Sequence, residues 1–108
     1  MTPKHILIAG NMGYVGPAVI RHLRETFPSA QLTGFDTGYF ARCLTGATAL
    51  PETRLDVQRF GDIRAASAEL LNGVDAVINL AAISNDPMGN AFEEATHAIN
   101  CEAGIRLA

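Results

Sequence analysis

Apolar and polar positions follow two different periods along this chain. Ile6 to Ala9 is an unbroken apolar run, which predicts a buried strand. From Tyr14 to about Phe27 the period lengthens. Val15, Val19 and Leu23 recur every four residues with Phe27 next in line, the stripe of a helix with one buried face. Pro17 falls in the first turn of that helix, where a missing N–H costs little, and Pro28 stops it. Gln31–Asp36 predicts a second strand. Thr37–Glu52 has the composition of a loop. Arg54–Arg59 predicts a short third strand, and Arg64–Leu71 a short helix closed by Asn72 and Gly73. Asp75–Ala81 predicts a fourth strand, nearly all apolar from Val77 on, as a strand covered on both faces requires. Turn chemistry follows at Asn85, Asp86, Pro87, Met88 and Gly89. Asn90, with Glu93 three residues later, reads as a variant capping box. The helix it opens carries Phe92, Thr96, Ile99 and Ala103 on one face.

Strands that alternate with helices imply a parallel sheet in an α/β domain. Right-handed crossovers then favour the sheet order 3-2-1-4 of a doubly wound fold. The last predicted helix runs to Leu107 and Ala108 without a glycine, proline or polar cap. The expectation is therefore a four-strand N-terminal portion of a larger domain. In these residues alone strand four would be an open edge with the composition of a central strand, which predicts association of copies into a homo-oligomer unless a larger polypeptide supplies a fifth strand.

The first strand runs directly into Gly10, Gly13 and Gly16, spaced G-x-x-G-x-x-G, and these open the first helix. That order of strand, glycines and helix is how a Rossmann-like sheet holds the pyrophosphate of a dinucleotide. Gly10 would make the tight turn, Gly13 would let backbone approach phosphate, and Gly16 would let the helix pack close to the sheet. The helix N-terminus offers unpaired N–H groups to the anion. Asp36 ends strand two, where a carboxylate can accept from the adenosine ribose hydroxyls. It would repel a 2′-phosphate. Thr37 and Gly38 supply no compensating arginine, and Arg42 lies further along, so NAD is expected over NADP.

Composition narrows the classes. The chain has 108 residues, 48% hydrophobic and 18% charged, enough for one small domain with a core. Its net charge is −3 with no basic block, which argues against a nucleic-acid surface and leaves anion binding to local dipoles. No apolar run approaches membrane-spanning length and no signal peptide is visible, so a cytoplasmic protein without a membrane partner is expected. Cys43 and Cys101 form no C-x-x-C pair and are expected to be buried and reduced. His5, His22 and His97 lack metal-ligand spacing, so no metal site is expected.

The chain resembles the extended short-chain dehydrogenase/reductases, which include nucleotide-sugar epimerases and dehydratases. The resemblance spans the whole chain. It rests on Ala9 to Gly16, on Phe35 and Asp36, on Gly61-Asp62-Ile63-Arg64, on Asp75 to Ala82, and on Asn100 in the following helix. The resemblance implies a cofactor site of Gly10, Met12, Gly13, Tyr14, Val15 and Gly16 in the loop, with Asp36 on the ribose. It implies that Asp62 bonds the adenine amino group and that Ile63 lines the adenine pocket. Leu80, Ala81 and Ala82 would run beside ribose and pyrophosphate, and Asn100 would stand near the active site. Asp62 could instead simply end strand three, and Asn100 could be an ordinary helix-surface residue. The sequence departs from the family at Ala9, often threonine there, at Asn79, often histidine, and at Ala65, often an acid.

Catalysis in such proteins needs a tyrosine with a lysine four residues later. Tyr14 and Tyr39 are the only tyrosines, followed at that spacing by Ala18 and Cys43, and Lys4 is the only lysine. The resemblance thus implies the NAD-binding portion of an enzyme that oxidises a nucleotide sugar transiently, with no catalytic residue among these positions. A non-catalytic dinucleotide sensor and a simple NAD-dependent dehydrogenase or reductase of the same superfamily remain open.

Overall fold

The computed structural model describes residues 2–13, 15–38, 54–81, 94 and 97–107. Four strands, β1 (His5–Ala9), β2 (Gln31–Asp36), β3 (Val57–Phe60) and β4 (Ala76–Asn79), form one sheet in the order β3-β2-β1-β4. Each neighbouring pair is parallel. Helix α1 (Gly16–Thr26) crosses from β1 to β2. The expected sheet order is therefore the observed one.

Alternation within the sheet explains the unbroken apolar run of β1. Ile6 and Ile8 face α1, where they pack with Ile20, Leu23, Ala30 and Leu32. Leu7 and Ala9 face the other way and pack with Phe35, Ile63 and Ala103. A strand covered on both faces has no polar position to offer. The buried residues of α1 are Gly16, Pro17, Ile20 and Leu23. Val15, expected on that face, is 58% exposed because the helix begins one residue after it. Phe27 ends α1 at φ −127° and ψ 72°, outside the helical region, which Pro28 disfavours for the residue before it.

The predicted helix over Arg64–Leu71 is instead two 3₁₀ turns, Ile63–Ala65 and Ala68–Leu71. Ala66 and Ser67 between them are extended. The cause is visible across the interface. Arg106 donates to the carbonyls of Arg64 at 2.7 Å and Ala66 at 3.0 Å, acceptors that a continuous helix would need for itself. The turn at Gly73 does occur as expected, with φ of 76°. β3 starts later than expected because the Asp56 carboxylate turns back to the Leu32 N–H at 2.8 Å. β4 is shorter at both ends. The Asp75 carboxylate takes the N–H groups of Lys4 and His5, and the Asn79 side chain takes that of Ala81.

The last described segment is a π-helical stretch, Ala98–Ala103, followed by α2 (Gly104–Leu107). Ile99 and Ala103 pack on the sheet as expected. Phe92 and Thr96, like Cys43 and the Asn90 cap, lie outside the described residues. Cys101 is exposed, contrary to the expectation of burial, because it sits on the outer side of the helix from Ala103.

Arg24 ties the base of the sheet together. Its guanidinium donates to the carbonyls of Pro28, Ala30 and Arg54 and to the Asp56 carboxylate at 2.9 Å. The Leu32 N–H, then Arg24, hold the Asp56 carboxyl below its ordinary pKa. A folded-state pKa below the unfolded value gives stability present above about pH 4 and lost as pH falls through the folded value. Arg24→Met is expected to cost about 2 kcal/mol in urea unfolding at pH 7, since three carbonyls lose a donor. The gap between wild type and Asp56→Asn should narrow as pH falls below about 4 and close once the folded protein's carboxyl is itself protonated. A pH-independent gap would show that the pair is not ionic.

Candidate functional site

The carboxyl ends of β1, β2 and β4 meet at the point where the sheet order reverses, the crevice in which doubly wound folds bind ligands. The chain leaves β1 through Gly10, with φ of 78°, a conformation that favours glycine. The Gly10 N–H donates to the Phe35 carbonyl at 2.8 Å. A Cβ on Gly10 would stand 2.5 Å from the Ala81 nitrogen and 2.6 Å from the Leu80 carbonyl carbon. Leu80 and Ala81 thus press against the glycine turn, and Leu80 donates to the Ala9 carbonyl at 2.7 Å. Of the expected site residues, Tyr14 and Ala82 lie outside the described residues.

The three glycines do different work. Among the described residues, a Cβ on Gly13 would find nothing nearer than the Gly10 oxygen at 3.6 Å. A Cβ on Gly16 would fall on the backbone of Asn11. The nearest backbone that Gly16 spares is that of the loop directly after β1. That loop is buried, with Asn11 1% and Met12 4% exposed.

Asp36 is already committed to the loop. Its Oδ2 accepts the Met12 N–H at 2.9 Å and its Oδ1 accepts the Gly38 N–H at 2.8 Å. Each carboxylate oxygen can accept more than one hydrogen bond, so acceptor capacity is left for a diol. Phe60, in register with Asp36 on β3, is 62% exposed beside Gly38. The Met12 N–H, by contrast, is spent on Asp36 and not displayed to an anion. Val15 stands at the N-cap of α1, exposed to solvent.

Asp62 begins the first 3₁₀ turn. Its carboxylate accepts from the Arg64 N–H at 2.9 Å and is paired with the Arg64 guanidinium. That hydrogen-bonded guanidinium holds its pKa low. Ile63 packs in the core with Leu7, Ala9 and Phe35. A cleft of about 310 Å³ opens between β3 and the 3₁₀ turns, bounded by Phe35, Phe60, Gly61, Asp62, Ser67 and Leu70. It adjoins Asp62 and includes none of the three loop glycines. Asn100 is exposed within the π-helical stretch, a local form that recurs at functional sites.

The sequence reading did not single out Asn11, Gln58 or Phe60. Only Phe60 carried a signal, as a large apolar residue at the mouth of a predicted strand end. Gln58 is an ordinary polar position of a short strand until its register beside Gly34 is known.

Solved structures share this fold. A UDP-N-acetylglucosamine 4-epimerase from Methanobrevibacter ruminantium M1, in complex with UDP-N-acetylmuramic acid, matches with a TM-score of 0.77 and 21% identity, over 99% of this chain and 33% of its own. An NAD-dependent NDP-hexosamine 5,6-dehydratase, TunA, matches with a TM-score of 0.72 and 20% identity, over 95% of this chain and 31% of its own. A UDP-glucose-4-epimerase from Stenotrophomonas maltophila, with bound NAD and formylated UDP-arabinopyranose, matches with a TM-score of 0.71 and 19% identity, over 94% and 31%. This chain spans about a third of the length of the structures it matches. No curated protein matches it. The model of the NAD dependent epimerase/dehydratase family matches residues 6–108, nearly all of the chain, and the chain belongs to that family.

Proposed function

We propose that these residues form the NAD-binding portion of a nucleotide-sugar epimerase or dehydratase that works by transient hydride transfer. The observation that carries the reading is Asp36, held by the Met12 and Gly38 N–H groups at the mouth of a left-handed glycine turn. Structural neighbours solved with NAD and UDP-sugars bound support it.

The residues fit the cofactor. Gly10, Gly13, Tyr14, Val15 and Gly16 would face the pyrophosphate, with the Cβ-less side of Gly13 toward it and the start of α1 supplying N–H groups. Met12 contributes by fixing Asp36, which would accept from the ribose hydroxyls. Asp62, Ile63 and the exposed ring of Phe60 would border the adenine, Ile63 through its backbone. Leu80, Ala81 and Ala82 would flank the ribose and pyrophosphate, and Asn100 would face the reacting end. NAD, when bound, supplies a hydride acceptor that oxidises a sugar carbon and later returns the hydride. Neither Tyr14 nor Tyr39 has a lysine four residues later, so in this reading the proton-handling pair would come from another part of the full-length protein.

Calorimetric titration of the full-length protein tests the reading. NAD should bind at least tenfold more tightly than NADP, and a UDP-sugar should bind to the NAD complex. Binding of NAD with no turnover of any nucleotide sugar would favour a sensor. Preference for NADP would refute the Asp36 assignment. Among the described residues β4 is at the edge of the sheet, with Val77 40% exposed; copies would associate through it unless a further strand of the full-length protein pairs there, and sedimentation of the same sample tests this.

A further inference from the structure

A polar side chain sealed from water costs free energy unless its hydrogen bonds are made. Asn11 is only 1% exposed, the least exposed polar residue among those described. Its amide lies flat over Gly34, where a Cβ would be 2.5 Å from Nδ2 and 2.7 Å from Oδ1. The absence of a side chain at Gly34 makes the room. Asn11 Nδ2 donates to Gln58 Oε1 at 2.6 Å, and Gln58 Nε2 donates to Asn11 Oδ1 at 3.3 Å and to the Arg59 carbonyl at 2.9 Å. Gln58 stands beside Gly34 in the β2–β3 register. The amide pair therefore reaches from the loop after β1, across β2, to β3.

The neighbours of Asn11 are the groups that shape the cofactor site. Gly10 before it is pinned to Phe35, and Met12 after it is pinned to Asp36. The backbone of Asn11 also lies beneath Gly16, where α1 begins. A shift of the loop by a fraction of an ångström would lengthen the Met12–Asp36 bond and tilt the start of α1 together.

We propose that Asn11 and Gln58 are positioning residues for the dinucleotide site: their paired amides hold the glycine loop at the height at which Met12 meets Asp36, so a strand at the sheet edge sets cofactor affinity. The proposal rests on the reading of this site as the NAD site. It goes beyond that reading by assigning a role to two side chains that need not touch the cofactor.

A double-mutant cycle on the full-length protein decides it. Asn11→Ala, Gln58→Leu and the double variant are titrated with NAD at 25 °C, with circular dichroism confirming the fold. Each single variant should raise the NAD Kd about tenfold, and the double variant should be no worse than either, because one unit is lost in all three. Gln58→Leu, on a part-buried edge position, is the arm expected to remain folded. Amide exchange at Met12 without cofactor is the second readout, and it should accelerate at least tenfold in Gln58→Leu while the β1 amides keep their protection. An unchanged Kd in folded Gln58→Leu, or additive effects, would overturn the positioning role. Unchanged Met12 exchange would overturn it as well. A wild-type protein that binds no NAD would refute the cofactor reading itself, and Met12 exchange would still decide whether the pair holds the loop.

Discussion

Gly16→Val is expected to prevent folding, while Gly13→Val is expected to leave a folded protein unable to hold NAD. The two glycines are three residues apart in one motif, yet the structure gives them opposite surroundings. A Cβ at Gly16 would fall on the Asn11 backbone, which belongs to a buried loop and has no room to retreat. Relief would require α1 to lift from β1, and α1 supplies Ile20 and Leu23 to the packed cluster on that face of the sheet. The loss should exceed about 4 kcal/mol, the range that marks overpacking against fixed backbone. At Gly13 the first Cβ contact among the described residues is an ordinary 3.6 Å. Valine there should cost less than about 1 kcal/mol of stability, as a solvent-side substitution does. It would nevertheless fill the space a pyrophosphate needs. Circular dichroism and calorimetry on both variants separate the effects. Unchanged NAD affinity in Gly13→Val would sink the phosphate-cradle reading, and a stable Gly16→Val would show that the loop yields.

The parts of the fold legible in the sequence were those in which one strong rule acted alone. The β1 run, the glycine turn, β2 and the sheet order followed from periodicity and crossover handedness. The parts that were not legible depended on long-range partners. Arg106 breaks the helix expected over Arg64–Leu71 from 40 or more positions away. Val15 satisfies a four-residue repeat yet stands outside the helix, because the repeat carries no information on where the first turn begins. The same limit applies to the site. The glycines and Asp36 carry a pattern with a mechanism. Asn11 and Gln58 lie 47 positions apart and acquire meaning only when β2 and β3 align. Met12 sits within the motif, but that its N–H serves Asp36 depends on the loop's conformation.

That bond changes what substitution of Asp36 should do, and it makes asparagine the sharper test than alanine. Asp36→Ala would remove the acceptor from both the Met12 and Gly38 N–H groups, so weaker NAD binding would mix a loosened loop with lost ribose contacts. Asp36→Asn keeps one oxygen for a backbone N–H and removes the charge. The lost charge-assisted bonds to the ribose hydroxyls correspond to about 1.5–3 kcal/mol, or roughly a 10- to 150-fold rise in the NAD Kd. NADP should respond in the opposite sense, because the carboxylate that repels a 2′-phosphate is gone. The NAD-over-NADP ratio should therefore fall to about threefold or less, while Asp36→Ala should weaken both cofactors. Parallel titrations of wild type and both variants with the two cofactors check this. If Asp36→Asn keeps the wild-type ratio, discrimination lies in another group and Asp36 serves the loop alone.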